Sequence, residues 1–281
     1  MKLFPVIAEY FKMDGGACFG VVPKTLWSKH IAADGNNRVP IASRCLLADT
    51  GDRLILVDTG MGNKQSDKFF GYYDIFGENS LEKSFEQLGY RFDQVTDVIL
   101  THLHFDHVGG AVRWAADGIT PELVFPHATY YCTKEQFDWA MDPNPREKAS
   151  FFRENFVPLY ESGRLEFLHE GGSFCDGVEL MITHGHTRGQ VIPVFDFKGR
   201  RLFFMADFIA SVLNIPIPYV PAFDIDPLTS MREKDAFLRG IVGKDHVLFF
   251  QHDYANECCA VEDTPKGIRA ARMFTLADME A

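Results

Sequence analysis

The stretch His102-Leu103-His104-Phe105-Asp106-His107 decides the fold. It follows the apolar run Val98-Ile99-Leu100-Thr101 and leads into Val108-Gly109-Gly110. A buried strand is therefore expected to end where four potential metal ligands begin. A tight turn here can send His102 and His104 to one side and Asp106 with His107 to the other. Imidazoles with a carboxylate form a ligand set for zinc or another first-row divalent ion, and two such groups side by side suit two ions. The bland alternative is a polar loop with coincidental histidines, which would have to gather four ligand types in six residues directly behind an apolar strand.

Three later strand ends complete the set. Thr183-His184-Gly185-His186-Thr187 follows an apolar run, and the glycine before His186 favours a sharp turn that presents that imidazole, leaving His184 to cap the loop. Leu202-Phe203-Phe204-Met205-Ala206-Asp207 ends in a carboxylate, and Val247-Leu248-Phe249-Phe250-Gln251-His252 ends in a histidine. His102, His104 and His186 can then hold one ion, and Asp106, His107 and His252 the other, with Asp207 bridging. A shared hydroxide would complete a pair of ions about 3.5–4 Å apart. Asp58, in Asp58-Thr59-Gly60, could accept a proton from a ligand histidine and fix its tautomer, or simply form a turn. His30, His127, His169 and His246 lack such context and read as surface or capping residues.

Composition narrows the function classes. The chain has 281 residues, 46% of them hydrophobic, and 26 are Phe, enough for a sizeable core and an aromatic pocket lining. With no repeat, low-complexity tract or linker, one α/β domain over residues 1–281 is expected. The formal charge of -11 argues against nucleic acid as a partner, because phosphate binding needs a basic face. No apolar run reaches the roughly 18 residues of a membrane span. The start, Met1-Lys2-Leu3-Phe4-Pro5, lacks a signal peptide, which points to the cytoplasm. Cys18, Cys45, Cys132, Cys175, Cys258 and Cys259 form no CxxC pair and read as reduced thiols rather than ligands.

Along the chain, residues 2–10 read as a strand, Asp14 to Gly20 as a glycine-rich flexible loop, and 41–48 with 53–57 as a hairpin. Asn63 to Gly77 has aromatic residues without a clean period: a loop that could be a lid, a homodimer contact or ordinary packing. Asn79 can cap a helix whose Leu81, Phe85 and Leu88 share a face before Gly89 ends it. Gly109-Gly110-Ala111 reads as the opening of a helix, 123–125 with 129–131 as a strand pair, and 134–160 as helix broken at Pro143 and Pro145. Residues 165–168, 178–182, 191–197 and 201–205 read as a second sheet with a turn at Lys198-Gly199. Residues 228–242 read as helix and 246–250 as a last strand.

These motifs resemble the metallo-β-lactamase superfamily. His102 to His107 matches its HxHxDH signature, and His186, Asp207 and His252 match its later ligands in order, over about residues 14–255. The resemblance implies an αββα sandwich, two divalent ions (zinc first, manganese or iron as alternatives), a small ester or lactone substrate, and the supporting role for Asp58. Asp14-Gly15-Gly16-Ala17-Cys18-Phe19-Gly20-Val21-Val22-Pro23-Lys24 with Trp27 is similar to the YtnP-like quorum-quenching lactonases, which implies hydrolysis of N-acyl-homoserine lactones by a metal-bridging hydroxide, with Asp106 moving the proton. The segment from Asp207 through Phe223-Asp224-Ile225-Asp226-Pro227 also resembles methyl parathion hydrolases, which implies arylesterase or phosphotriesterase activity as the alternative. A metal-stabilised scaffold without catalysis is the non-enzyme alternative. Two positions depart from related lactonases: Ala210 stands where they carry a tyrosine, and Gln190, expected behind the ligands, stands where many members have histidine. Phe19 and Phe208 are candidates for the acyl pocket.

Overall fold

The computed structural model describes residues 1–280. Its strands, in chain order, are β1 (Lys2–Asp14), β2 (Arg38–Asp49), β3 (Leu54–Val57), β4 (Asp97–Ile99), β5 (Val112–Trp114), β6 (Pro121–Leu123), β7 (Thr129–Thr133) and β8 (Leu165–Leu168). They continue with β9 (Gly172–Cys175), β10 (Val178–Thr183), β11 (Gln190–Phe197), β12 (Arg200–Phe204), β13 (Val247–Phe249), β14 (Cys258–Thr264) and β15 (Gly267–Phe274). One six-stranded sheet has the order β1-β2-β3-β4-β7-β8, and a seven-stranded sheet the order β15-β14-β13-β12-β11-β10-β9. Strands β3, β4, β7 and β8 run parallel, as do β12 and β13.

Side-chain alternation explains why the sheets stack. In β3, Ile55 and Val57 face the second sheet while Leu54 and Leu56 face a helical layer. Strand β4 repeats this with Ile99 on one side and Val98 on the other. Central strands apolar on both faces need cover on both. Helices Leu81–Leu88, Lys134–Met141 and Arg153–Glu161 cover the first sheet through Phe85, Phe137 and Phe156. Helix Pro227–Ile241 covers the second through Leu238 and Ile241, with Phe237 against Phe203 at 5.0 Å. This is the expected αββα layering.

Several local expectations are corrected. Residues Gly15–Phe19 form a short helix rather than a flexible loop, because the Asp14 carboxylate caps it by accepting from Ala17 N. Asp67–Tyr73 is also helical, capped by Ser66. Its Phe69 and Tyr73 pack against Phe105, so ordinary packing wins over a lid. Ser80, not Asn79, caps Leu81–Leu88. The helix begins inside the histidine motif, at Phe105–Val108, and Gly109–Ala111 is a 3-10 turn. A Cβ on Gly109 would lie 1.9 Å from Met61 O, and one on Gly110 2.0 Å from Thr59 O, so these glycines permit backbone-to-backbone approach. Strand β6 pairs with β5, while β7 joins the first sheet; β8 also belongs there, beside β7, and not to the second. Strands β5, β9, β14 and β15 have no counterpart among the expected strands.

Candidate metal centre

The centre lies where several strands end. Thr101 and His102 follow β4, His186 follows β10, Asp207 follows β12, and His252 follows β13. Ala206 sits at φ 42 and Asp58 at φ 58, left-handed conformations that cost non-glycine residues energy and are held only where the surroundings dictate them. Both are fully buried.

Two clusters of possible ligands result. His102, His104, His186 and Asp207 form one, and Asp106, His107 and His252 the other, the candidate ligand atoms within each lying within 4.8 Å of one another. Asp207 joins them: Oδ2 is 3.1 Å from His186 Nε2, and Oδ1 is 2.8 Å from His252 Nε2 and 3.6 Å from His107 Nε2. Asp106 lies 3.7 Å from His107 Nε2 through Oδ1 and 3.9 Å from His252 Nε2 through Oδ2.

Each imidazole is pinned from behind. His104 Nε2 donates to Glu147 Oε1 at 2.8 Å, His107 Nδ1 to Asp58 Oδ2 at 2.9 Å, and His186 Nδ1 to Asp224 Oδ1 at 2.9 Å. His252 Nδ1 donates to Ala42 O at 2.9 Å, and His102 Nδ1 faces Thr101 Oγ1 at 3.1 Å. An outer nitrogen that donates leaves the inner nitrogen of a neutral imidazole as a bare lone pair. Those inner atoms crowd together: His102 Nε2 is 3.0 Å from His104 Nδ1, which is 3.1 Å from His186 Nε2, and His107 Nε2 is 3.2 Å from His252 Nε2. Lone pairs in such contact repel unless a cation lies between them. Asp207 Oδ1 is buried and has no donor other than the His252 imidazole it faces at 2.8 Å. The donor set therefore fits two divalent ions, with Asp207 shared.

The electrostatics ask for positive charge at the same place. Burial pushes the His186 and His252 imidazoles down, but Asp207 and their other acceptors outweigh it and raise both to about 9. Burial and the neighbouring imidazoles hold His102 well below its usual value. For metal-free protein the sign follows. A histidine raised in the folded state stabilises fully below its unfolded value near 6.5, and that stability is lost as pH rises towards about 9. The chelated protein is therefore expected to melt at progressively lower temperature from pH 6.5 to 9. Metal-loaded protein, whose ligands have already given up those protons, should show a flat profile in the same thermal scans.

Asp58 and Gln190, both expected behind the ligands, differ in what they touch. Asp58 holds His107 and also accepts from Thr101 N and Oγ1, each at 2.8 Å. Gln190 is a correction: its Oε1 accepts from Thr183 Oγ1 at 3.2 Å, across the β10–β11 pair, and it makes no hydrogen bond to a ligand histidine. His184 lies outside both clusters, its Nδ1 accepting from Gly189 N at 3.2 Å.

Glu147 and Asp224 escaped the sequence reading. Glu147 takes hydrogen bonds from Trp139 Nε1 at 2.6 Å, Asn144 Nδ2 at 3.1 Å and the Thr187 hydroxyl. Burial works against its charge, yet these donors and His104 hold the carboxyl at about 2. Its only signal was the Pro143-Asn144-Pro145 turn, where Asn144 Oδ1 accepts from Glu147 N. Glu147→Ala is expected to weaken zinc binding by about 10–100-fold, measured by chelator competition. An unchanged affinity would reduce Glu147 to a loop anchor.

A cavity of about 300 Å³ opens beside Asp106, Asp207 and His252. Its walls are mainly apolar, with Met13, Phe19, Ile31, Val39 and Leu213. Phe19 is one of the cavity's lining residues. Phe208 is a correction: it turns into the core against Phe237, ring centres 5.4 Å apart. Ala210 lines the cavity, as does His30, which is exposed at its edge.

Comparison with known proteins places this geometry. A probable metallo-hydrolase of Mycobacterium tuberculosis is 31% identical over 189 residues, which are 59% of this chain and 57% of that protein, so the match spans little more than half the relative's length. An N-acyl homoserine lactonase of Bacillus thuringiensis is 26% identical over 76% of this chain and 82% of its own. Among solved structures, a probable metal-dependent hydrolase from Staphylococcus aureus superposes with TM-score 0.87 at 24% identity, covering 98% of this chain and 96% of that one. AidC, a dizinc quorum-quenching lactonase in complex with a product, superposes with TM-score 0.76 at 23% identity, covering 96% and 93%. The family model of the metallo-β-lactamase superfamily matches residues 38–252, and the chain belongs to that superfamily.

Proposed function

We propose that the protein is a dinuclear metal-dependent hydrolase that opens the lactone ring of N-acyl-homoserine lactones. The observation that carries this reading is the junction of two bridged ligand clusters with an apolar cavity of about 300 Å³. A polar ring would sit at the ligands and an acyl chain along Phe19, Val39 and Leu213. Relatives named as N-acyl homoserine lactonases support the same substrate class. Two divalent ions there would supply hydroxide at neutral pH and an electrophile for the carbonyl oxygen. The chain's own residues hold the pieces: five imidazoles fixed by Glu147, Asp224, Asp58, Thr101 and the Ala42 carbonyl, and Asp207 between the clusters. Asp106, on the cavity wall, is the group to accept a proton and return it to the leaving alkoxide.

A second reading, arylester or phosphotriester hydrolysis, is favoured by Ala210, which leaves no phenol at that point of the cavity wall. Proton release by metal-loaded protein on a long-chain acyl-homoserine lactone, an aryl ester and an organophosphate triester separates the two. Lactone turnover well above the others is expected. Faster triester or aryl-ester cleavage would install the second reading, and no turnover with two ions bound would favour a metal-stabilised scaffold.

A further inference from the structure

Lys234 lies in the middle of helix Pro227–Ile241 and is 2% exposed. A buried ammonium has three protons to place. All three find backbone carbonyls: Asn214 O at 2.8 Å, Tyr219 O at 3.0 Å and Pro216 O at 3.1 Å. Those carbonyls belong to one irregular segment, which begins with the 3-10 turn Val212–Asn214. Ser211, Val212, Leu213 and Asn214 are cavity wall.

The clamp extends across the cavity. Asn214 Nδ2 donates to Cys18 O at 3.2 Å, and Ala222 N donates to Ala17 O at 2.8 Å. Gly20 passes so near the segment that a Cβ would lie 2.3 Å from Val220 O. Cys18 and Phe19 line the cavity from that side. Burial lowers the ammonium, against Asp224, to about 8.

We infer that Lys234, through the three carbonyls it gathers, is a positioning residue that sets which acyl-chain lengths the cavity accepts. The inference rests on the lactonase reading for its substrate. The clamp holds a segment that, with Cys18 and Phe19, walls the apolar side of the cavity, where an acyl chain would lie, and Lys234 itself donates to none of the groups that fix the imidazoles. Loosening the wall should therefore cost long chains their contacts and leave short ones nearly untouched.

The test uses zinc-loaded Lys234→Met, which keeps the apolar stem and removes the three donors, with zinc content checked. For N-decanoyl-homoserine lactone, KM is expected to rise about tenfold or more, while KM for the N-butanoyl substrate and kcat for both stay within about threefold. Calorimetric binding of decanoate should weaken by a similar factor. A parallel fall of kcat/KM for both lactones, or no change in either, would overturn the inference, because an anchor that matters only for stability does not alter the ratio. If Lys234→Met does not fold, Asn214→Ala, which cuts the tie to Cys18, must shift the ratio in the same direction. Should the wild type turn over no lactone, decanoate still decides. Binding that the variant weakens supports the clamp while the lactonase reading fails, and absence of binding to the wild type overturns the clamp.

Discussion

Asp106→Asn is expected to lower kcat by about 10²–10⁴-fold while KM stays within about threefold, with both ions retained. The substitution keeps the shape of the side chain and one oxygen that can still face a cation. It removes the ability to take up and return a proton. The carboxylate lies 3.7 Å from His107 Nε2 and 3.9 Å from His252 Nε2, and it borders the cavity where a leaving oxygen would emerge. Steady-state kinetics beside metal analysis separate the outcomes. Near-wild-type turnover with two ions bound would remove Asp106 from the proton path. Loss of an ion together with activity would make it a ligand and nothing more.

What the sequence revealed, and what it did not, follows from the range of the interactions. The apolar runs 98–100, 202–206 and 247–250 lead within two residues to the proposed ligands His102, Asp207 and His252, and a strand's end is set by its own composition, so the placing of these residues at strand ends was readable in one dimension. The β3 alternation that buries both faces was equally local. Strand β8 went to the wrong sheet because Leu165-Glu166-Phe167-Leu168 says nothing of its neighbour, which Tyr130 and Tyr131 in β7 supply. Strands β14 and β15 were missed because they alternate weakly and lie at one edge of the second sheet.

The site divides the same way. The proposed ligands follow strands, whereas Glu147 and Asp224 come from irregular segments 43 and 38 residues from His104 and His186, the histidines they touch. A buried carboxylate outside any periodic element leaves no pattern. Phe208 failed as a pocket residue for a related reason. It stands next to Asp207, but the left-handed Ala206 turns the chain, and its ring goes to Phe237 in the helical layer. Phe19 reaches the cavity because the short helix Gly15–Phe19 is packed by Trp27, ring centres 5.2 Å apart. Proximity in sequence to a ligand is therefore a poor guide to proximity to substrate, and the direction of the turn decides.

Asp207→Ala is expected to cost the centre metal as well as activity. This carboxylate is the one side chain shared by the two proposed ligand clusters, 3.1 Å from His186 and 2.8 Å from His252. Burial disfavours its charge, but the three facing imidazoles hold it far below the usual carboxylate range. Alanine would leave His186 and His252 without the anion that raises them and would take one negative charge from the proposed pair of cations. Occupancy is expected to fall from two ions to one or fewer, and kcat/KM by about 10³-fold, equivalent to about 4 kcal/mol of transition-state stabilisation. Metal analysis after dialysis and lactone hydrolysis read both quantities. Two tightly held ions with much reduced turnover would show that Asp207 tunes a centre that the imidazoles and Asp106 can assemble without it. Unchanged occupancy and unchanged turnover would remove the bridging role, and with it the dinuclear mechanism that depends on a shared carboxylate.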